Sequence, residues 1–165
     1  MLVLKGWKVG AHSLFLDQFE KLIKAVETEK AASPNTYKSG ANAKLLAAIL
    51  KLSRETIPTN PTLPLYRQGT TLGSHRKHWF RAKFGNGRFR LFFRFDSASA
   101  TLIYAWVNDE NTLRTYGGKT DAYRIFGKML DGGTPPDDWK ALLSATKDEK
   151  AIKKLSDLVK RSADI

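Results

Sequence analysis

The chain has no cysteine among its 165 residues. That excludes disulfides, thiolate metal sites and a cysteine nucleophile. Histidine is nearly as scarce, with only His12, His75 and His78. His75 and His78 stand close in sequence, but no third ligand candidate follows at a metal-like spacing, so neither a metal nor another cofactor is expected. Long apolar runs are missing too. The opening MLVLKGWKVGAHS is briefly apolar, lacks a small-residue cleavage site, and reads as neither signal peptide nor membrane span. A cytoplasmic location is the expectation. The last scarcity is negative charge: 16 Asp and Glu stand against 28 Lys and Arg, a net +12. Such an excess attracts polyanions over a Debye length or more. Nucleic acid leads as the partner class, ahead of an anionic membrane or an acidic protein.

What is present suits one folded domain, with 42% hydrophobic and 27% charged residues. Phe15, Phe19, Leu22 and Val26 recur at helical spacing, predicting a helix from a Ser13 cap to about Ala32. Leu46, Ile49, Leu50 and Ile57 predict a second over about Asn42 to Ile57, stopped by Pro58, so that the two form an antiparallel hairpin. Pro58 to His78 reads as mostly irregular, with TLPLYRQG, Thr62 to Gly69, able to hide a short extended piece. Three period-two segments follow, HWFRAKF, GRFRLFFRF and ATLIYAWVN, with Gly85-Asn86-Gly87 as the turn between the first two. They predict an antiparallel meander with one apolar side for the helices and one basic side. Thr120 caps a helix from about Asp121 to Leu130, Trp139, Leu142 and Leu143 mark another, and TKDE at Thr146 opens a last one carrying Ile152, Leu155, Leu158 and Val159. The fold class is α+β: an N-terminal helical hairpin on a twisted antiparallel sheet, with C-terminal helices.

In GRFRLFFRF, Phe89, Leu91, Phe93 and Phe95 share one face and Arg88, Arg90, Phe92 and Arg94 the other. Between Trp79 and Phe95 lie five cations, Arg81, Lys83, Arg88, Arg90 and Arg94, and no acid. Alternation alone is what any half-solvated sheet shows. Cations of a single sign on neighbouring strands are destabilising, however, unless an anion neutralises them, and arginine forks match phosphate. Trp79, Phe92, Tyr104 and Trp106 share that face in the simplest register, either to stack bases or to pack beneath the long loop and the C-terminal helices. A second polar cluster, NDENTLRTYGGKTDAY, Asn108 to Tyr123, follows the third strand, where sites are commonly built.

WFRAKFGNGRFRLFFRF and NDENTLRTYGGKTDAYRIFGKML, with LPLYRQGTTLGS before them, strongly resemble the YhaV toxin family of type II toxin-antitoxin systems, within the RelE/ParE-like superfamily. The likeness runs from Gly6-Trp7 to PPDDW at Pro135 to Trp139, dividing the chain into a toxin domain, residues 1–145, and a helical extension, 146–165. It implies a RelE-like fold and an endoribonuclease that cleaves mRNA, usually on the translating ribosome, and so inhibits translation and growth. The implied partners are a cognate AbrB-like (PrlF-type) antitoxin, mRNA, the ribosome, and operator DNA for the toxin-antitoxin complex. The RelE-like catalytic pattern falls on Arg81, Lys83, Arg90, Arg114 and Tyr123, with Lys119 and Tyr116 as rivals for the last two across a longer loop. Arg88, Arg94, Trp106, Asn108, Glu110 and Lys119 are the candidates for holding substrate.

RNA cleaves when its 2′-hydroxyl loses a proton and attacks the adjacent phosphorus, which needs a base, an acid and charge stabilisation. His78 is an outside candidate for proton transfer. Lys83 is the better proton carrier among the strand cations because arginine stays protonated. Glu110 and Asp121 are possible bases or mere holders of the arginines. A module that binds nucleic acid without cutting it, and a ParE-like toxin acting on a protein target, are the alternative readings.

Overall fold

The computed structural model describes all residues, Met1–Ile165. Its centre is a five-stranded mixed sheet of order β1-β2-β5-β4-β3. β1, Leu2–Leu4, and β2, Trp7–Ala11, form a tight hairpin, and β3, Phe80–Phe84, β4, Phe89–Asp96, and β5, Thr101–Val107, form the meander that the alternation predicted. The N-terminal pair corrects the sequence reading, which took this segment only as a brief apolar opening. Lys5 and Gly6 both take positive φ, 51° and 86°, the two-residue geometry that matches strand twist. β2 then pairs parallel to β5, so the sheet is mixed rather than purely antiparallel.

Helix α1, Ser13–Ala32, buries Phe15, Leu16, Phe19, Ile23 and Val26 against one face of the sheet. His12, not Ser13, is its cap: Nδ1 accepts from the Leu14 amide at 3.1 Å. Burial lowers the His12 pKa, in keeping with an imidazole that accepts. α2, Ala41–Lys51, runs on through a wide π turn, Leu52–Thr56, into α3, Ile57–Thr59. Pro58 therefore sits inside the last turn instead of stopping the helix. It has no amide to give, and the Ile57 amide reaches back five residues to the Leu52 carbonyl. The Ser53 carbonyl in this turn accepts from the buried Tyr104 hydroxyl at 2.6 Å.

The opposite face is covered as well, contrary to the expected one-greasy, one-basic sheet. α4, Ala122–Asp131, and α5, Trp139–Thr146, pack a second core there, in which Trp79, Phe92, Ile103 and Trp106 meet Tyr123, Phe126, Leu130 and Leu142. A bulge decides which residues join it. Phe92 pairs with Trp106 but Phe93 with Tyr104, leaving Ala105 extra. One extra residue turns the rest of a strand over, so Tyr104 faces α1 and not the basic side. In the long connection before β3, Arg67 bridges Phe80, the short extended piece that TLPLYRQG suggested. α6, Glu149–Ala163, closes over α1: Leu158 is fully buried in the first core, and Arg161 pairs with Glu27 at 2.6 Å.

Candidate active site

The part of the second face that the helices leave open lies at the β3–β4 hairpin. Cross-strand pairing sets Lys83 opposite Arg90 and Arg81 opposite Phe92. Side chains directly opposite share a face, so all three cations lie on one side, and none is paired with a carboxylate. Lys83 is exposed to solvent, whereas Arg90 is only 2% exposed. Buried charge must be hydrogen-bonded, and Arg90 is: Nη1 donates to the carbonyls of Gly87 at 2.7 Å and Phe89 at 3.0 Å.

Tyr123 joins the strand cations. Its hydroxyl oxygen accepts from Arg81 Nε at 2.8 Å and from Arg90 Nε at 3.0 Å. Two guanidiniums thereby take both lone pairs of the phenol, and its O–H is left to donate. The Arg114 guanidinium lies 4.5 Å from the centre of the Tyr123 ring and 4.1 Å from that of Tyr116, a stacked cation between two π faces. Arg81 Nη1 is steadied by the Leu65 carbonyl at 2.8 Å.

Two buried polar side chains fold the loop that brings Arg114 here. Asn108 accepts from the Arg90 amide at 2.7 Å and donates to the carbonyls of Thr112 at 2.8 Å and Arg88 at 3.2 Å. Asp121 caps α4 through the Tyr123 amide at 3.0 Å, takes the amides of Thr115 and Tyr116, and pairs with Arg114 Nη1 at 2.8 Å. Burial pushes the Asp121 carboxyl up, but these amides and the Arg114 charge outweigh it and hold the group below its ordinary 3.8. A depressed carboxyl pKa stabilises the fold above the unfolded value and ceases to do so as pH falls through the folded one. Asp121→Asn should therefore cost about 2 kcal/mol at pH 7, with the deficit relative to the parent shrinking on acidification below about pH 4. Thermal melts of both proteins from pH 7 to pH 3 check this, and a deficit that stays constant would refute it.

The remaining candidates fall in different places. Arg88 and Lys119 are exposed at the rim. Trp106 is 5% exposed and stacked on Phe126 with ring centres 5.9 Å apart. Both its faces are core, so it is a correction: it cannot stack a base. Arg94 is a second correction, held between Trp79 and Trp139 with Nη1 on the Asp137 carbonyl at 2.6 Å. It pins the segment before α5. Asn108 is a third, since its side chain is spent on backbone. Glu110 lines a separate cavity of about 290 Å³ between α1, α2 and the hairpin, with Gln18, Asn42, Phe84 and Asp109. His78 lies 2.8 Å from Asp137, which also takes the Trp79 indole N–H at 2.7 Å, and so belongs to that packing. Sequence reasoning missed the Leu65 carbonyl, which no side-chain pattern signals. No group of three His, Cys, Asp or Glu is placed to hold a metal.

What remains together is Arg81, Lys83, Arg90, Arg114 and Tyr123: four cations and a phenol, with the one nearby carboxylate consumed. Such a set can grip a phosphodiester, stabilise added negative charge and donate a proton. Comparison with known proteins gives a family and its relatives. A family described as "Toxin with endonuclease activity, of toxin-antitoxin system" matches residues 9–147. "Ribonuclease toxin YhaV" of Escherichia coli (strain K12) is 47% identical over 146 residues, 88% of this chain and 95% of the relative. "Toxin YhaV" of Escherichia coli O157:H7 matches to the same extent. No solved structure matches.

Proposed function

This chain belongs to the YhaV toxin family, and from that premise we propose a metal-independent endoribonuclease that cuts mRNA at the Arg81–Arg90–Tyr123 cluster. It is a toxin of a toxin-antitoxin system with endonuclease activity. The observation that carries the finer reading is the Tyr123 hydroxyl accepting from two guanidiniums at once. In this reading the 2′-hydroxyl attacks the adjacent phosphorus and the bond to the 5′-oxygen breaks. Arg90 and Arg114 stabilise the extra negative charge on the non-bridging oxygens. Tyr123 gives its proton to the departing 5′-oxygen, and the charge left on the phenol falls between Arg81 and Arg90. The base is the uncharged amine form of Lys83, whose nitrogen lone pair takes the proton of the 2′-hydroxyl and becomes the ammonium, to be returned to solvent after the cut. The products are a 2′,3′-cyclic phosphate and a 5′-hydroxyl.

The net charge of +12 supports work on or near the ribosome, a dense polyanion. The RelE-like fold, the AbrB-like (PrlF-type) antitoxin, operator binding by the complex, arrest of translation and growth, and a cytoplasmic location follow from the same reading. No helix is long and apolar enough to cross a membrane. Sequencing RNA ends after brief induction without antitoxin tests the reading, with new cyclic-phosphate ends in mRNA expected. Cleavage of purified RNA should persist in EDTA. Cleavage that requires Mg²⁺ in the chemical step, or RNA bound but never cut, would overturn it.

A further inference from the structure

Tyr116 is the most exposed large apolar side chain of the protein, at 75%. It is nevertheless held in place. Its backbone has φ 54°, a conformation a non-glycine residue keeps at a cost of about 1 kcal/mol or more. The buried Asp121 carboxylate fixes it there, with Oδ1 accepting from the Thr115 amide at 2.6 Å and the Tyr116 amide at 3.1 Å. One face of the ring rests on the Arg114 guanidinium. The phenol contributes nothing to either core. The Arg114 contact uses one face of the ring and leaves the other open, on a backbone held in a strained conformation.

The surroundings say what fits that face. Tyr123, Arg114 and Tyr116 form one column, ring, guanidinium and ring. The inner end of the column carries the hydroxyl that meets Arg81 and Arg90. Single-stranded RNA alternates phosphates with flat bases, so a phosphate gripped at the inner end leaves an adjacent base within reach of the outer one. Every base has a π face, and stacking on an aromatic side chain is worth about 1–3 kcal/mol per base. Leu65, 64% exposed, flanks the other side of the cluster through its carbonyl on Arg81.

We propose that Tyr116 is a nucleobase platform: a single-stranded RNA subsite beside the scissile phosphate that holds one unpaired base on its outer face, purines more firmly than pyrimidines. The proposal rests on the reading of the protein as a ribonuclease. Its test uses the full chain and a short single-stranded RNA, fully 2′-O-methylated so that it binds without being cut, followed by kinetics on the unmodified strand. Tyr116→Ala should weaken binding about tenfold, as loss of one stacked base predicts, and raise KM by a similar factor while kcat changes less than threefold. The base profile at the cut should flatten. Tyr116→Phe, which keeps the ring, should restore binding and profile alike. Unaltered binding and an unaltered profile in Tyr116→Ala would overturn the proposal while the parent still cuts RNA. Loss of antitoxin binding with RNA binding intact would also overturn it, making Tyr116 a protein contact. If the parent itself neither binds nor cuts RNA, the ribonuclease reading falls and the platform with it.

Discussion

Replacing Tyr123 with phenylalanine should slow RNA cleavage about a thousandfold and leave the fold intact. In the proposed mechanism the hydroxyl donates the proton while its oxygen is held by Arg81 and Arg90, and general acid catalysis contributes about 10²–10⁴. Phenylalanine keeps what the ring does for packing. Phe92 still meets it edge-on at 5.5 Å, and Arg114 still lies over its face. The loss in stability should be about 2–3 kcal/mol, because two guanidinium N–H groups, one of them buried, lose their acceptor. Single-turnover cleavage of a short RNA gives the rate directly, and thermal melting gives the control. A variant within tenfold of the parent would show that the proton comes from elsewhere.

Arg90→Ala should abolish growth arrest at a protein level equal to the parent's, with cleavage down at least about a hundredfold. Removing one donor aimed at developing negative charge costs about 3–4 kcal/mol of transition-state stabilisation. Arg90 also holds the chain: its Nη1 ties the Gly87 and Phe89 carbonyls and its Nε the Tyr123 phenol. Alanine strands all three, so some stability is lost together with activity. Arg90→Lys separates the effects. Lysine restores the charge without the fork, so activity should stay low even where the melting temperature recovers. An Arg90→Ala protein as toxic as the parent would remove this side chain from the mechanism.

Much of this site was legible in the sequence because its signal is local. Two alternating strands around Gly85-Asn86-Gly87 fix which side chains share a face, and five cations without an acid mark that face as unusual. The limits were non-local. Alternation within β4 cannot reveal that α4 and α5, from later in the chain, will cover its far half, which turned Trp106 and Arg94 from substrate contacts into packing. The bulge at Ala105 could not be read either, because one unpaired residue leaves no mark in a strand whose every position is buried. The N-terminal hairpin left a faint trace: Leu-Val-Leu, Lys-Gly and an apolar run are strand, turn and strand, but each piece is too short for its period to stand out. Asn108 looked like a substrate ligand because it is polar and lies at a strand end, yet such ends also need side chains to satisfy backbone, and that is its use here.

The parallel seam between β2 and β5 bears on the order in which the fold can assemble during synthesis. Gly10 must wait for Ile103 to be made before it finds its neighbour, and contacts this far apart in sequence form late. Tyr123 is translated later still. Since its hydroxyl is what joins Arg81 to Arg90, the cluster is complete only after about three-quarters of the 165 residues have been made.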